Sequence, residues 1–325
     1  MLSRFKFGVY LPFYAFKSEA SNSLSAFDRV RKVVLECERL GYHSVWLDDH
    51  LMFGKSPIFE CWTTLSTLSA ITTRIRLGTM VSCNSFRNPS LLAKMAATFD
   101  VISGGRLELG IGAGVQRGEH VAYGIPFPKP NVRISRMKEA VEIIRKMWTE
   151  EKASYRGKYY RLKEAVCEPK PLQKPHPPIT IGGSGEKLTL KVTAQYADRY
   201  DWGYLPSFDL YKHKLEVLER HCNAVGRDFQ EIEKSCWPGG QIFIASNRKE
   251  LDEKVLRWKP KSVSMKDFKK FSLIGTPDEC ARKIQQYADL GVTYFMLFFG
   301  DLLSMNGVRL FAETVVKKMK STNSE

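Results

Sequence analysis

The chain has 325 residues and no C-x-x-C pair; its seven cysteines (Cys37, Cys61, Cys83, Cys167, Cys222, Cys236, Cys280) are odd in number and unpatterned. That distribution argues against a disulfide framework or a zinc site and leaves reduced thiols. Long hydrophobic runs are lacking too: stretches such as Tyr294–Gly300 fall far short of the roughly 20 apolar residues of a membrane-spanning helix. Met1–Lys6 carries Arg4 and Lys6 but no following apolar core of signal-peptide length, so a cytoplasmic protein is expected. No H-E-x-x-H, G-x-S-x-G or P-loop pattern occurs, and the six histidines are not paired at metal spacing. Metal, serine-hydrolase and nucleotide-triphosphatase chemistry are thereby set aside. Acid is scarce relative to base: 35 Asp and Glu against 50 Lys and Arg leave +15. The excess fits an anionic partner, whether nucleic acid, acidic lipid or a cofactor with phosphate and carboxylates, and it fits equally a Lys-rich solvated surface. Because the basic residues lack aromatic interleaving, no nucleic-acid partner is expected, and none at a membrane.

What is present is alternation. With 43% hydrophobic residues and no internal repeat or low-complexity linker, one domain over residues 1–325 can bury its own core. Lys6–Leu11 reads as a strand, and a helix follows from Ser25 with Phe27, Val30, Val34 and Cys37 on one face. Ser25 and Asp28 form a capping-box pattern there, and Gly41 supplies the left-handed stop. Ser44–Leu47, Ile75–Val81, Leu107–Ile111, Ile179–Gly182, Asp198–Gly203, Gln241–Ala245 and Val292–Phe299 read as the remaining strands. Helices are expected over Glu60–Thr72, from Asn88-Pro89 to Gly104-Gly105, through Ile134–Trp148, over Glu186–Tyr196 and Leu210–Ala224, and from Thr276-Pro277 to Gly291. Ala153–Leu162 suggests a small hairpin; five prolines forbid a helix in Glu168–Pro178; the charged stretch Arg248–Phe271 reads as an excursion near the mouth. Eight strand–helix pairs leave a closed barrel or an open doubly wound sheet, and the count favours a (β/α)8 TIM barrel with extra loops at 113–133, 150–178 and 246–275 that could roof a site.

Several residues could carry chemistry. His50 ends the second strand on the face where barrel enzymes place their active sites, and imidazole exchanges protons near neutral pH; the same position also suits a structural hydrogen-bonder. Asp48 and Asp49 either orient it or cap a helix. Ser184 stands between Gly183 and Gly185 past strand five, where bare N–H groups at a helix start suit a phosphate, or form an ordinary turn. Gly110-x-Gly112-x-Gly114 lacks the sixth-position glycine and the later acid of a dinucleotide fingerprint, which argues against a nicotinamide-binding Rossmann site, although such glycines let a flat ring approach the backbone. Cys83, beside Asn84, has no activating cation nearby in sequence and reads as an inert thiol.

The segments Gly41-Tyr42-His43-Ser44-Val45-Trp46-Leu47-Asp48-Asp49-His50, Ser103-Gly104-Gly105-Arg106-Leu107-Glu108-Leu109-Gly110-Ile111-Gly112-Ala113-Gly114 and Pro178-Ile179-Thr180-Ile181-Gly182-Gly183-Ser184-Gly185 resemble the bacterial luciferase-like family of flavin- and F420-dependent oxidoreductases. Tyr123-Gly124-Ile125-Pro126-Phe127, Gly157-Lys158-Tyr159-Tyr160 and Leu273-Ile274-Gly275-Thr276-Pro277 extend the likeness over nearly the whole chain. The resemblance implies a flavin or deazaflavin ring at the carboxyl ends of the strands, often in a homodimer, with His50 bordering the ring and a small organic molecule as substrate. It further implies a non-proline cis peptide at Met80-Val81 behind the ring, contacts from Cys83, Ala113 and Gly114, and a phosphate held by Gly183, Ser184 and Gly185. Glu119 matches a glutamate common in the family, and catalysis and a structural salt bridge stand open for it. Relatives that oxidise sugar phosphates carry a catalytic glutamate after the third glycine, where this chain has Val115, a departure that weakens a sugar-phosphate activity. Coenzyme F420 is favoured over FMN, whose use with oxygen in a monooxygenase is the alternative; a non-catalytic cofactor carrier or nucleic-acid binder is the third reading.

Overall fold

The computed structural model describes residues 4–16, 23–205, 207–260 and 262–321. Residues 1–3 of the leader expectation and Lys261 of the expected excursion lie outside them. Eight parallel strands close on themselves: β1 (Lys6–Leu11), β2 (Ser44–Leu47), β3 (Arg76–Thr79), β4 (Leu107–Gly112), β5 (Ile179–Gly182), β6 (Arg199–Asp201), β7 (Glu233–Cys236) and β8 (Tyr294–Leu297). Hydrogen bonding runs from each to the next, and β8 returns to β1 with Lys6 opposite Tyr294 and Val9 opposite Leu297. This is the expected (β/α)8 barrel.

The principal helices are α1 (Ser23–Arg39), α2 (Cys61–Ile71), α3 (Pro89–Ile102), α4 (Arg117–Ala122), α5 (Pro130–Thr149), α6 (Thr189–Tyr196), α7 (Phe208–Ala224), α8 (Arg248–Trp258), α9 (Met265–Phe271), α10 (Pro277–Ala288) and α11 (Asn306–Phe311), the last continuing into a closing segment that ends with Lys317–Ser321. Local chemistry sets their starts. Glu60 caps α2 by accepting the Thr63 N–H, Asn88 accepts the Ser90 N–H ahead of Pro89 on α3, and Thr276 with Glu279 forms the expected box on α10. None of the described helices is long and apolar enough to cross a membrane.

Two expectations are corrected. The helix expected from Ser25 begins by Ser23, so the Ser25–Asp28 pair lies inside α1, where Asp28 instead pairs with Arg31 and Lys32. More importantly, Gln241–Ala245 is not the seventh barrel strand: Ile242–Ile244 pairs in parallel with Leu273–Gly275 in a separate two-stranded sheet. Helices α8 and α9 pack on that sheet around Phe243, Ala245, Leu251, Val255 and Phe268. The true β7, Glu233-Lys234-Ser235-Cys236, lacks an apolar run because its glutamate belongs to an ion network inside the barrel.

That interior is filled in levels, as the two-residue period of strands requires. At the amino end, Arg199 pairs with Glu108 at 2.8 Å and with Glu233 at 2.7 Å, Lys6 also reaches Glu233, and Arg76 joins Glu108. Above it lie Trp46, Tyr294 and Met296. A Cβ on Gly78 would fall 2.5 Å from the Trp46 ring, so only glycine leaves room for it. Tyr10 and Trp237 form the next level, edge to face at 5.1 Å, and floor an open cleft.

Candidate active site

The cleft occupies the carboxyl rim, with a volume of about 300 Å³, and its wall comes from six strand ends. β2 supplies Asp49 and His50, the turn after β3 supplies Met80, Val81 and Cys83, and β4 runs into Gly112, Ala113, Gly114 and Val115. Gly182 and Gly183 follow β5, Asp201, Trp202 and Gly203 follow β6, and Trp237 follows β7. The positions expected at His50, Glu119, Met80, Val81, Cys83, Ala113, Gly114 and Gly183 therefore converge on one surface, whereas Ser184 and Gly185 lie just outside it.

Glu119, in the first turn of α4, is almost fully buried and holds His50. Its Oε1 and Oε2 lie 3.0 and 3.2 Å from His50 Nδ1, and Oε2 accepts the Leu51 N–H at 3.0 Å. A carboxylate cannot donate, so the Nδ1 position carries the proton and the Nε2 lone pair is left to the cleft. Asp49 does something different: it accepts the Cys83 N–H at 2.9 Å and both Arg87 nitrogens at 2.6 and 2.9 Å, tying the β2 rim to the turn after β3. Burial raises its carboxyl above the usual range, with Arg87 opposing. Asp48 points away from the cleft, where its Oδ1 accepts the Phe13 N–H at 3.1 Å, its Oδ2 is buried without a partner among the described residues, and burial lifts the carboxyl to about 6.

The Met80-Val81 peptide is cis, as expected. Val81 sits in a hollow left by three glycines: a Cβ on Gly110, Gly112 or Gly182 would come within 2.9, 2.6 or 3.0 Å of its methyls. A fourth glycine, Gly114, has φ +79°, and a Cβ there would meet Cys83 Sγ at 2.8 Å. The result is a flat, side-chain-poor face of a kind that accepts a planar ring. Trp202 follows β6 at the cleft edge, but its ring stacks on Tyr200 at 4.1 Å and packs against Tyr211 of α7 at 5.0 Å, with the indole nitrogen buried without a partner among the described residues. Burial pushes the Cys83 thiol up to about 12, and its Sγ lies 3.7 Å from His120 Nε2, a neighbour that sequence spacing did not reveal.

The phosphate expectation needs one correction. The Gly183 N–H donates to the Asp201 carbonyl at 2.9 Å and is not available, and α6 starts at Thr189 rather than at Glu186. The N–H groups of Ser184 and Gly185 have no acceptor among the described residues, and Lys214 Nζ stands by the loop, 3.0 Å from the Ser184 carbonyl and 2.6 Å from Glu186. Sequence reading missed Tyr10, Asp201, Trp202 and Trp237, which carry no local motif. Asp201, with its pKa raised by burial, accepts the Trp237 indole N–H at 2.9 Å and fixes that floor. Among the described residues no group of three or more His, Cys, Asp or Glu could hold a metal ion.

A carboxyl-rim cleft with a histidine and a glycine-bared face on a closed barrel defines a class of barrel oxidoreductase, and comparison gives the family. The chain belongs to the luciferase-like monooxygenase family, whose model matches residues 5–264. It is 27% identical over 315 residues to the F420-dependent glucose-6-phosphate dehydrogenase of Segniliparus rotundus, covering 87% of this chain and 91% of that protein. In fold it resembles an F420-dependent secondary alcohol dehydrogenase solved with an F420–acetone adduct, at TM-score 0.77 and 21% identity, over 96% of this chain and 98% of that one. The EDTA monooxygenase of Chelativorans sp. BNC1 superposes at TM-score 0.82 with 16% identity, over 98% of this chain and 94% of that one.

Proposed function

We propose that this chain is an F420-dependent oxidoreductase that moves a hydride between the deazaflavin and an organic substrate, with His50 handling the accompanying proton. The observation that carries the reading is His50 fixed through Nδ1 by Glu119, with no partner at Nε2 among the described residues, on the wall of a cleft that also bears bare glycine backbone and Val81. When bound, the coenzyme supplies the two-electron chemistry. The chain's own residues do the rest. Met80, Val81, Cys83, Ala113 and Gly114 seat the ring; the N–H groups of Ser184 and Gly185, with Lys214 beside them, take the phosphate. His50 Nε2 accepts a proton from a substrate hydroxyl in one direction and returns it to a carbonyl in the other, while Glu119 positions the imidazole and balances its charge. Tyr10 and Trp237, which floor the cleft, keep water from the reacting face.

Relatives named as F420-dependent dehydrogenases favour F420 over FMN, although a monooxygenase shares the fold. The reading carries with it a cytoplasmic homodimer acting on a small organic molecule. Seven free, buried thiols are consistent with a reducing compartment. Turnover followed in the absence of oxygen tests the reaction type: coenzyme reduction that proceeds anaerobically is the expected result, and strict oxygen consumption with reduced FMN would replace it with the monooxygenase.

A further inference from the structure

The amino end of the barrel holds a cavity to which the function proposed above gives no use. Its volume is about 760 Å³, and it is lined by six cationic side chains, Lys6, Arg39, Arg74, Arg76, Arg106 and Lys320, against one carboxylate among the described lining residues, Glu38. The ion network beneath does not neutralise that lining. Lys6 shares Glu233 with Arg199, Arg76 shares Glu108 with Arg199, and Arg39 shares Glu36 with Arg309, so each of those glutamates answers two cations. The Glu38 Oε1 is taken by the N–H groups of Thr73, Arg74 and Ile75 at 2.8, 2.7 and 3.1 Å. Arg74, Arg106 and Lys320 make no ion pair among the described residues. Like charges gathered around one cavity repel, and an anion placed between them removes the repulsion.

Arg106 shows the imbalance most clearly. It is buried, and its five N–H groups go to the carbonyls of Ser103, Ile75, Ser69 and Thr72 and to the Thr72 hydroxyl. Those dipoles solvate the guanidinium without cancelling its charge. Burial lowers its pKa, with Glu38 opposing and Arg76 adding to the shift. Arg106 therefore supplies fixed charge, whereas Arg74 and Lys320, both exposed, supply donors that can turn toward a ligand. They come from different parts of the chain: Arg74 precedes β3, and Lys320 lies in the closing segment, its Nζ 3.4 Å from the Gly41 carbonyl after α1.

The geometry points to a second ligand site at this end of the barrel, one that takes a multivalent phosphate chain, either free polyphosphate or the triphosphate of a nucleotide. The cavity is far larger than one tetrahedral anion fills, and a lining with several uncompensated cations is matched by linked phosphates rather than by a lone carboxylate. No part of this rests on the F420 reading, because the cavity lies at the opposite end of the barrel from His50.

The test is calorimetric titration of the whole chain with sodium tripolyphosphate, ATP and orthophosphate at about 0.15 M salt, where diffuse surface attraction is screened. Tripolyphosphate should saturate at one per chain and raise the melting temperature with its concentration. Reversing the two exposed cations together, Arg74→Glu with Lys320→Glu, should weaken it by about tenfold or more. The same change of net charge on α8 and α9, Lys249→Glu with Lys269→Glu, should leave affinity within about twofold. Arg74→Ala should weaken binding about threefold, and this milder variant decides the matter if the double reversal does not fold. ATP bound as tightly as tripolyphosphate supports the site with a nucleotide as its ligand; ATP bound more weakly supports it with free polyphosphate. Orthophosphate binding as tightly as tripolyphosphate, an equal loss in both double reversals, or no saturation at all would overturn the inference.

Discussion

The two ends of the barrel handle buried charge in opposite ways. At the amino end, Arg199 is fully buried but held by two glutamates, Glu108 and Glu233, which in turn meet Arg76 and Lys6. Burial alone would raise the Glu108 carboxyl, yet Arg199, with His43 and Arg76, holds it well below the usual range. At the carboxyl end, Asp48 and Asp201 are raised by burial, one oxygen of Asp48 has no partner among the described residues, and Glu119 faces a histidine. The pairing at one end stabilises; at the other, Asp201 and the Glu119–His50 pair line the cleft where a ligand and a proton can be exchanged, while Asp48 lies outside it.

The largest expected effect lies at the amino end. Arg199→Met deprives the buried Glu108 and the half-buried Glu233 of their shared guanidinium and should lower unfolding stability by about 3–5 kcal/mol, read from the denaturant midpoint, with Glu108→Gln and Glu233→Gln added together restoring most of it. An unshifted midpoint would mean that the network is inert. Next comes Asp48→Asn, which should stabilise the protein by about 3 kcal/mol at pH 8. The sign follows from a carboxyl raised from 3.8 to about 6: its ionisation is penalised in the fold, so stability falls as pH rises through that window. The advantage of the variant should therefore vanish as pH drops below the lower of those values, and a gain independent of pH would refute the assignment. His50→Ala should cut turnover by about 10²-fold while leaving cofactor affinity within a few fold; unchanged turnover would remove His50 from the reaction. The smallest effect concerns the cradle. Gly112→Ala places a methyl 2.6 Å from Val81 and should weaken cofactor binding by about tenfold, partly recovered by Val81→Ala.

This contrast also explains what could be read in advance. Strands with continuous apolar runs, such as Ile179–Gly182, and helices opened by Asn88-Pro89 or Thr276-Pro277 announce themselves through local patterns. His50 was legible because it ends such a strand. Strand β7 was not: its Glu233 and Lys234 look like surface, and only closure of the barrel reveals that Glu233 serves Arg199, 34 positions away in sequence. The apolar Gln241–Ala245 stretch took its place because burial in a small annex and burial in a barrel leave the same mark on five residues. Trp202 and Trp237 stayed hidden for a related reason, since a tryptophan after a strand acquires a role only when neighbouring strands bring it to the rim. The Gly183–Gly185 loop follows β5 as read, but the engagement of its first N–H by Asp201 depends on a neighbouring strand that no local motif reports.

Equilibrium titration of the purified chain with F420 and FMN side by side bears most directly on the claim that the glycine-bared rim seats a deazaflavin. Saturable F420 binding, tighter than FMN and weakened by Gly112→Ala, is the expected result. Tighter FMN binding, or no affinity for either ring, would contradict it.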